Sequence, residues 1–136
     1  MKIDFSRMVT AEQVQSEEKV KFKNNIASRR YDEETRGIVV NGVAINTERD
    51  SQNMINGAVV SCLLNPDYIC NWKTPEGFVA LDADTIKAVG IAIRTHVQSC
   101  FDREAELLVA LENGTYTESM LDEGWPDEGV SNNTEN

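Results

Sequence analysis

The sequence predicts an α+β fold: an N-terminal helical arm, a β-hairpin–helix–β-hairpin–helix core with a small antiparallel sheet, and an irregular acidic C-terminal tail. Three observations predict it. Asn41-Gly42 separates two short apolar runs in "GIVVNGVAIN" (37–46), Pro75 and Gly77 punctuate a second such pair, and apolar residues recur at helical spacing from Ile86 to Leu111. Residues 1–36 are then the N-terminal segment and arm, 37–114 the core and 115–136 the tail.

Thr10-Ala-Glu-Gln13 has capping-box form, a hydroxyl followed three residues later by an amide that can answer it. It opens a helix expected to reach about Arg36, where Gly37 stops it. Val14, Val20, Phe22 and Ile26 are its main apolar residues, and charge surrounds them. A helix polar almost all round bridges solvent or has a partner elsewhere, so this one reads as an arm outside the core.

In "GIVVNGVAIN", Asn41-Gly42 tolerates the positive φ angles of a two-residue type I′ turn. Pairing around it sets Val40 opposite Val43 and Ile38 opposite Ile45 on one face, with Val39 and Ala44 on the other, so turn and pattern agree on the register. Met54, Ile55, Ala58, Val59, Cys62 and Leu63 follow at i, i+3/i+4, i+7/i+8, an amphipathic helix. Thr47 or Asp50 is expected to cap it, and Asn65-Pro66 to end it. The second hairpin pairs "YICNWK" (68–73) with "FVAL" (78–81) across "TPEG", Pro75 suiting the second position of a type I turn and Gly77 the left-handed residue after it. Asp82 or Asp84 caps a long helix with the stripe Ile86, Val89, Ile93, Val97, Cys100, Phe101, Leu108 and Leu111, stopped by Asn113-Gly114. The two hairpins can join into one sheet covered on one face by both helices. In the tail, Met120, Leu121 and Trp125 are apolar enough to dock, while the last seven residues are polar and expected to fray.

A chain of 136 residues fits one domain with an arm to spare, and this length buries about two-thirds of its unfolded surface. No apolar run is long enough to span a membrane, and "MKIDFSRMVTAEQ" lacks the apolar stretch of a secretory signal. The net charge of −10 is unevenly placed: nine acids and no Lys or Arg lie from Glu104 onward, leaving 14 acidic and 13 basic groups before it. Such a flank opposes phosphate backbones, so no nucleic-acid partner is expected, and "KVKFK" (19–23) reads as a solvated helix face. Cys62, Cys70 and Cys100 form no CxxC pair and are odd in number, which points to reduced thiols in a cytosolic setting.

Two clusters could carry chemistry. Glu48, Arg49, Asp50 and Ser51 could supply an acid–base pair or half a metal site, yet at a helix start they point apart and read as punctuation, with Arg49 pairing a nearby acid. His96 and Cys100, one helical turn apart, could hold two corners of a zinc site or pair as base and nucleophile. No further Cys pair or second His completes such a site, and no phosphate-binding loop, dinucleotide fingerprint or nucleophile elbow is present. The expectation is therefore no catalytic residue, no cofactor and no metal, with Phe22, Ile26, Trp72 and Trp125 as candidate interface residues. The two tryptophans suit interface anchors as well as core or lid positions.

The stretches "VNGVAINTERDSQNMINGAVV", "NWKTPEGFVALDADTI" and "VQSCFDREAELL" resemble a small domain of unknown function found in tail proteins of tailed bacteriophages and fused to tail-fibre assembly proteins. Its pattern is a hairpin, "TDRDSQ" before a helix, then "W-K-T-x-D-G" before a strand. Thr47–Gln52 and Trp72–Gly77 match it, and "MKIDFSRMVTAEQ" and "GWP" (124–126) are also similar to short tail proteins of this type. The resemblance covers residues 30–113. Glu48 stands where Asp is usual, and Pro75-Glu76 replaces a small-residue–Asp pair, changes that keep the helix start and the tight turn. The resemblance implies a non-enzymatic protein of the tail-fibre region, a virion component or an assembly helper (chaperone) that contacts tail or tail-fibre proteins, in the virion tail or the host cytoplasm during assembly; homo-oligomerisation is a further expectation. It implies no catalytic residues. The competing readings are an early-expressed regulatory or anti-host binding protein, and a carboxylate- or metal-dependent enzyme using Asp or Glu with His96.

Overall fold

The computed structural model describes residues 10–127, so expectations for the first nine residues and for a frayed C-terminus fall outside it. The element order matches the α+β prediction: α1 (Ala11–Glu34), β1 (Ile38–Val40), β2 (Val43–Ile45), α2 (Arg49–Leu64), β3 (Ile69–Thr74), β4 (Gly77–Asp82) and α3 (Ala83–Asn113), then a short 3-10 helix at Glu118–Asp122.

Helix α1 begins at the capping box. Thr10 Oγ1 accepts from the Gln13 N–H at 3.1 Å, and the Thr10 N–H donates to Gln13 Oε1 at 2.9 Å, satisfying donors that a helix start leaves free. The first hairpin has the expected register, Ile38 opposite Ile45 and Val40 opposite Val43. Asn41 and Gly42 sit at φ 51° and 81°, the positive values a type I′ turn requires. In the second hairpin Thr74 pairs with Gly77 around Pro75-Glu76, and Thr74 Oγ1 ties the turn by donating to the Gly77 carbonyl at 2.7 Å.

The hairpins do not merge into the single small sheet expected. They remain two separate two-stranded ribbons, because each lays its inner face on α3 and needs no edge from the other: β1 and β4 both contact that helix. Asp82 caps α3, its Oδ1 accepting from the Thr85 N–H at 2.9 Å, and Gly114 ends it in the left-handed conformation.

At 31 residues, α3 is about 46 Å long and serves two cores. Its first half joins the hairpins and α2 through Ile86, Val89, Ile93 and Val97, packed with Ile38, Ile45, Ile55, Cys62, Trp72 and Leu81. Its second half builds a smaller cluster in which Leu107 and Leu111 meet Ile26 of α1, with Phe22, Leu108, Tyr116, Met120, Leu121 and Trp125 around them. The arm is therefore not outside the core. Helix α1 runs antiparallel to α3, from a Lys19–Glu112 pair to a His96–Glu33 contact, and only its first two turns, Ala11 through Glu18, are wholly exposed. The tail docks where Met120, Leu121 and Trp125 were expected to hold it.

This division gives a direct test. Ile26 is fully buried, so Ile26→Ala should lose about 3 kcal/mol in urea unfolding, while Val14→Ala on the exposed turns should stay within about 0.5 kcal/mol of the parent.

Candidate functional site

The chain around Thr47–Gln52 closes on a buried carboxylate. Glu34, in the last turn of α1, is 1 % exposed. Its Oε1 accepts from Arg30 Nη1 at 2.7 Å and Arg49 Nη2 at 2.9 Å, and its Oε2 from Arg49 Nε at 2.5 Å and Gln52 Nε2 at 3.0 Å. Burial alone pushes this carboxyl up, but the hydrogen bonds from Arg49 and Gln52 and the Arg49 charge outweigh it and hold the group below its ordinary value. Arg30 extends the network to Glu104 on α3 at 3.0 Å and lies over the Phe101 ring.

Thr47 belongs to the same junction. Its hydroxyl donates to the Glu34 carbonyl at 2.7 Å and accepts from the Gly37 N–H at 2.9 Å, and Gln52 donates to the Thr47 carbonyl at 2.8 Å. The expectation that Thr47 or Asp50 caps α2 is thus corrected. Glu48 is the N-cap residue and its side chain makes no capping bond, because the Thr47 hydroxyl is engaged by the end of α1. Asn46 Oδ1 accepts from the Glu48 N–H at 2.7 Å and shapes the entry instead. Of the cluster Glu48, Arg49, Asp50 and Ser51, only Arg49 reaches the buried centre, and it arrives as a structural partner of Glu34.

His96 is buried and its Nε2–H donates to the Glu33 carbonyl at 2.8 Å, fastening α3 to the last turn of α1. Desolvation lowers its pKa, partly offset by this bond to the carbonyl, so the neutral ring is favoured. Cys100 Sγ lies 3.9 Å from the same nitrogen, and burial pushes its thiol up to about 11. A nucleophile needs the thiolate, and this geometry works against one: the cysteine is protonated and the imidazole nitrogen facing it is committed to a backbone carbonyl. Among the described residues no three His, Cys, Asp or Glu side chains gather as metal ligands.

The four candidate interface residues face inward. Trp72 lies in the main core opposite Val79, and Ile26 is fully buried. Phe22 packs against Tyr116 with ring centroids 5.2 Å apart, and Trp125 donates its Nε1–H to the Leu121 carbonyl at 2.7 Å. Three of the four thus meet in the cluster that docks arm and tail. Arg103 secures that tail, donating to the Glu123 carbonyl at 2.9 Å and the Met120 carbonyl at 3.0 Å. Gly124, at φ 84°, lies against the Arg103 guanidinium where a Cβ would overlap it, which gives "GWP" a structural meaning. The Arg29–Asp122 pair and a hydrogen bond from Arg36 to the Pro126 carbonyl complete the attachment. Glu34 and Arg30 were not singled out from the sequence. Their i, i+4 spacing was visible, but it is indistinguishable from an ordinary solvated pair.

The family model described as a domain of unknown function (DUF4376) matches residues 17–123, and the chain belongs to that family. The matched stretch takes in the Glu34 junction, the main core and the tail as far as Glu123, and leaves the first turn and a half of α1 and the Gly124–Pro126 end of the docked tail outside. No curated protein and no solved structure matches the chain significantly.

The buried histidine makes stability depend on pH in a defined direction. Its pKa is lowered in the folded state, so the unfolded chain binds more protons as pH falls, and stability present above the ordinary histidine value is lost on acidification below it. Stability measured by urea unfolding should therefore fall between about pH 7 and pH 5, and His96→Gln should flatten that decline.

Proposed function

We propose that the chain is a non-enzymatic protein of the tail-fibre region of a tailed bacteriophage, a virion component or a fibre-assembly helper that acts through protein–protein contact. The phage setting rests on the sequence resemblance at Thr47–Gln52 and Trp72–Gly77. The contact role is supported by where the polar chemistry goes: Glu34, Arg49, Gln52 and His96 are engaged in joining α1, α2 and α3.

One observation carries the assignment of the partner-facing element. The first two turns of α1 open on the capping box and lie exposed, with none of the described residues packed over them. A free helix of that length is marginal in water, and it carries Glu12, Glu17 and Glu18 with the half-exposed Val14. An extended acidic helix end of this kind fits a bundled or coiled contact with a helix of another protein. The rest of α1 belongs to the fold, so the informative truncation ends before Phe22.

A chain lacking residues 1–20 should keep its far-ultraviolet circular dichroism per residue and its cooperative melt, yet no longer co-purify with the tail-fibre protein. Retained co-purification would refute the arm as the contact.

A further inference from the structure

Helix α2 is unusual in a chain that is 26 % charged: from Ser51 to Pro66 it has no Asp, Glu, Lys or Arg. Its inner face, Ile55, Ala58 and Cys62, is buried in the main core. Its outer face carries Val60, Leu63 and Leu64, which are 53 %, 69 % and 82 % exposed. Beside them on α3 lies Ile91, 69 % exposed. Val60 and Ile91 border a groove of about 620 Å³ that also takes in Val59 and Gly90, with Lys87 and Arg94 at its edge, and Leu63 and Leu64 continue the exposed apolar face of α2 one turn beyond Val60. The two helices are close here, since a Cβ on Gly90 would stand 2.9 Å from Val59 Cγ2. A helix apolar on both faces is normally covered on both, and a contiguous apolar patch on a soluble protein marks a contact surface.

The charges around the groove indicate what covers it. On the outer stripe of α3, Asp84, Lys87, Ile91 and Arg94 follow one another at i, i+3, i+7 and i+10. None of the three charged residues takes part in an ion pair among the described residues. Asp84 and Arg94 lie about 15 Å apart along the helix, with the groove floor at Gly90 close to their midpoint. That arrangement is self-complementary. If two α3 helices cross antiparallel over the groove, Asp84 of each copy comes level with Arg94 of the other, and the pair forms twice, as a two-fold axis demands. Leu63 and Leu64 run beside the Lys87 end of α3, because α2 and α3 are antiparallel, with Val59 at Gly90 and Gln52 and Asn56 near Val97. The same crossing therefore lays these leucines toward Ile91 and Val60 of the second copy. The acids that give the chain its net charge begin at Glu104, about 21 Å along α3 from Gly90, beyond the range over which physiological salt leaves surface charges unscreened.

We propose that the α2–α3 face is a homodimer interface, in which two copies pack antiparallel as a four-helix layer centred on Gly90 and locked by reciprocal Asp84–Arg94 pairs. This surface lies away from the α1 arm, so the proposal stands or falls independently of the tail-fibre reading.

Light scattering on size-exclusion peaks, with the full chain from about 1 to 100 µM, should give the mass of a dimer. Leu64→Glu and Ile91→Glu, both at exposed positions, should give monomers that still melt cooperatively, at a midpoint that no longer depends on protein concentration. Asp84→Arg and Arg94→Asp should each weaken dimerisation about tenfold or more, and the two together should restore it to within about threefold of the parent. A parent that stays monomeric across the range would overturn the proposal, as would a dimer indifferent to Leu64→Glu. Charge reversals whose effects add without rescue would overturn the antiparallel register.

Discussion

The architecture depends on keeping one carboxylate charged where water is excluded. Glu34 lies where the last turn of α1, the β2–α2 connection and the first turn of α2 converge, and each of its oxygens accepts two donors. A buried charge missing one of its partners costs several kcal/mol, so the segments carrying Arg30, Arg49 and Gln52 are held to a single arrangement. The forked guanidinium of Arg49 supplies direction as well as charge, and the Thr47 hydroxyl locks the Glu34 backbone in the same place. With the end of α1 fixed against α2, and His96 fastening it to α3, Phe22 and Ile26 have only one place to go: the second half of α3.

Residues that look reactive when read in order thus perform joinery. In "TERDSQ", Thr47, Arg49 and Gln52 all turn back to Glu34, while Glu48 and Asp50 remain at the solvent-facing helix start. The His96–Cys100 pair follows the same logic, with a ring nitrogen bonded to a carbonyl and a thiol that burial keeps protonated. An acidic helix end and an uncharged helix face beside a groove stay exposed among the described residues. Among the described residues, no helix is long and apolar enough to cross a membrane.

The hairpins, α2 and α3 were legible in the sequence because their signals are local. Asn41-Gly42 and Pro75–Gly77 specify turns within four residues, and α3 carries its stripe without interruption. The docking of α1 was not legible. It depends on Phe22 and Ile26, two apolar residues in a helix otherwise covered by charge, and on Leu107, Leu111 and Trp125 far downstream. The role of Thr47 was misread for a related reason: a hydroxyl before a helix is ordinarily a cap, and only the long-range meeting with Glu34 diverts it. Trp72 and Trp125 could have faced either way, since nothing in sequence separates an aromatic that anchors a partner from one that fills a core. The separation of the two ribbons was hidden too, because it follows from α3 offering each of them a surface.

Whether the buried carboxylate organises the fold can be measured directly by the unfolding free energy of Glu34→Ala. The loss expected is about 3 kcal/mol, since the substitution removes the acceptor of four hydrogen bonds, leaves Arg30 and Arg49 side by side without their shared carboxylate and frees the end of α1. A variant within about 0.5 kcal/mol of the parent, the range of an ordinary surface change, would contradict the account.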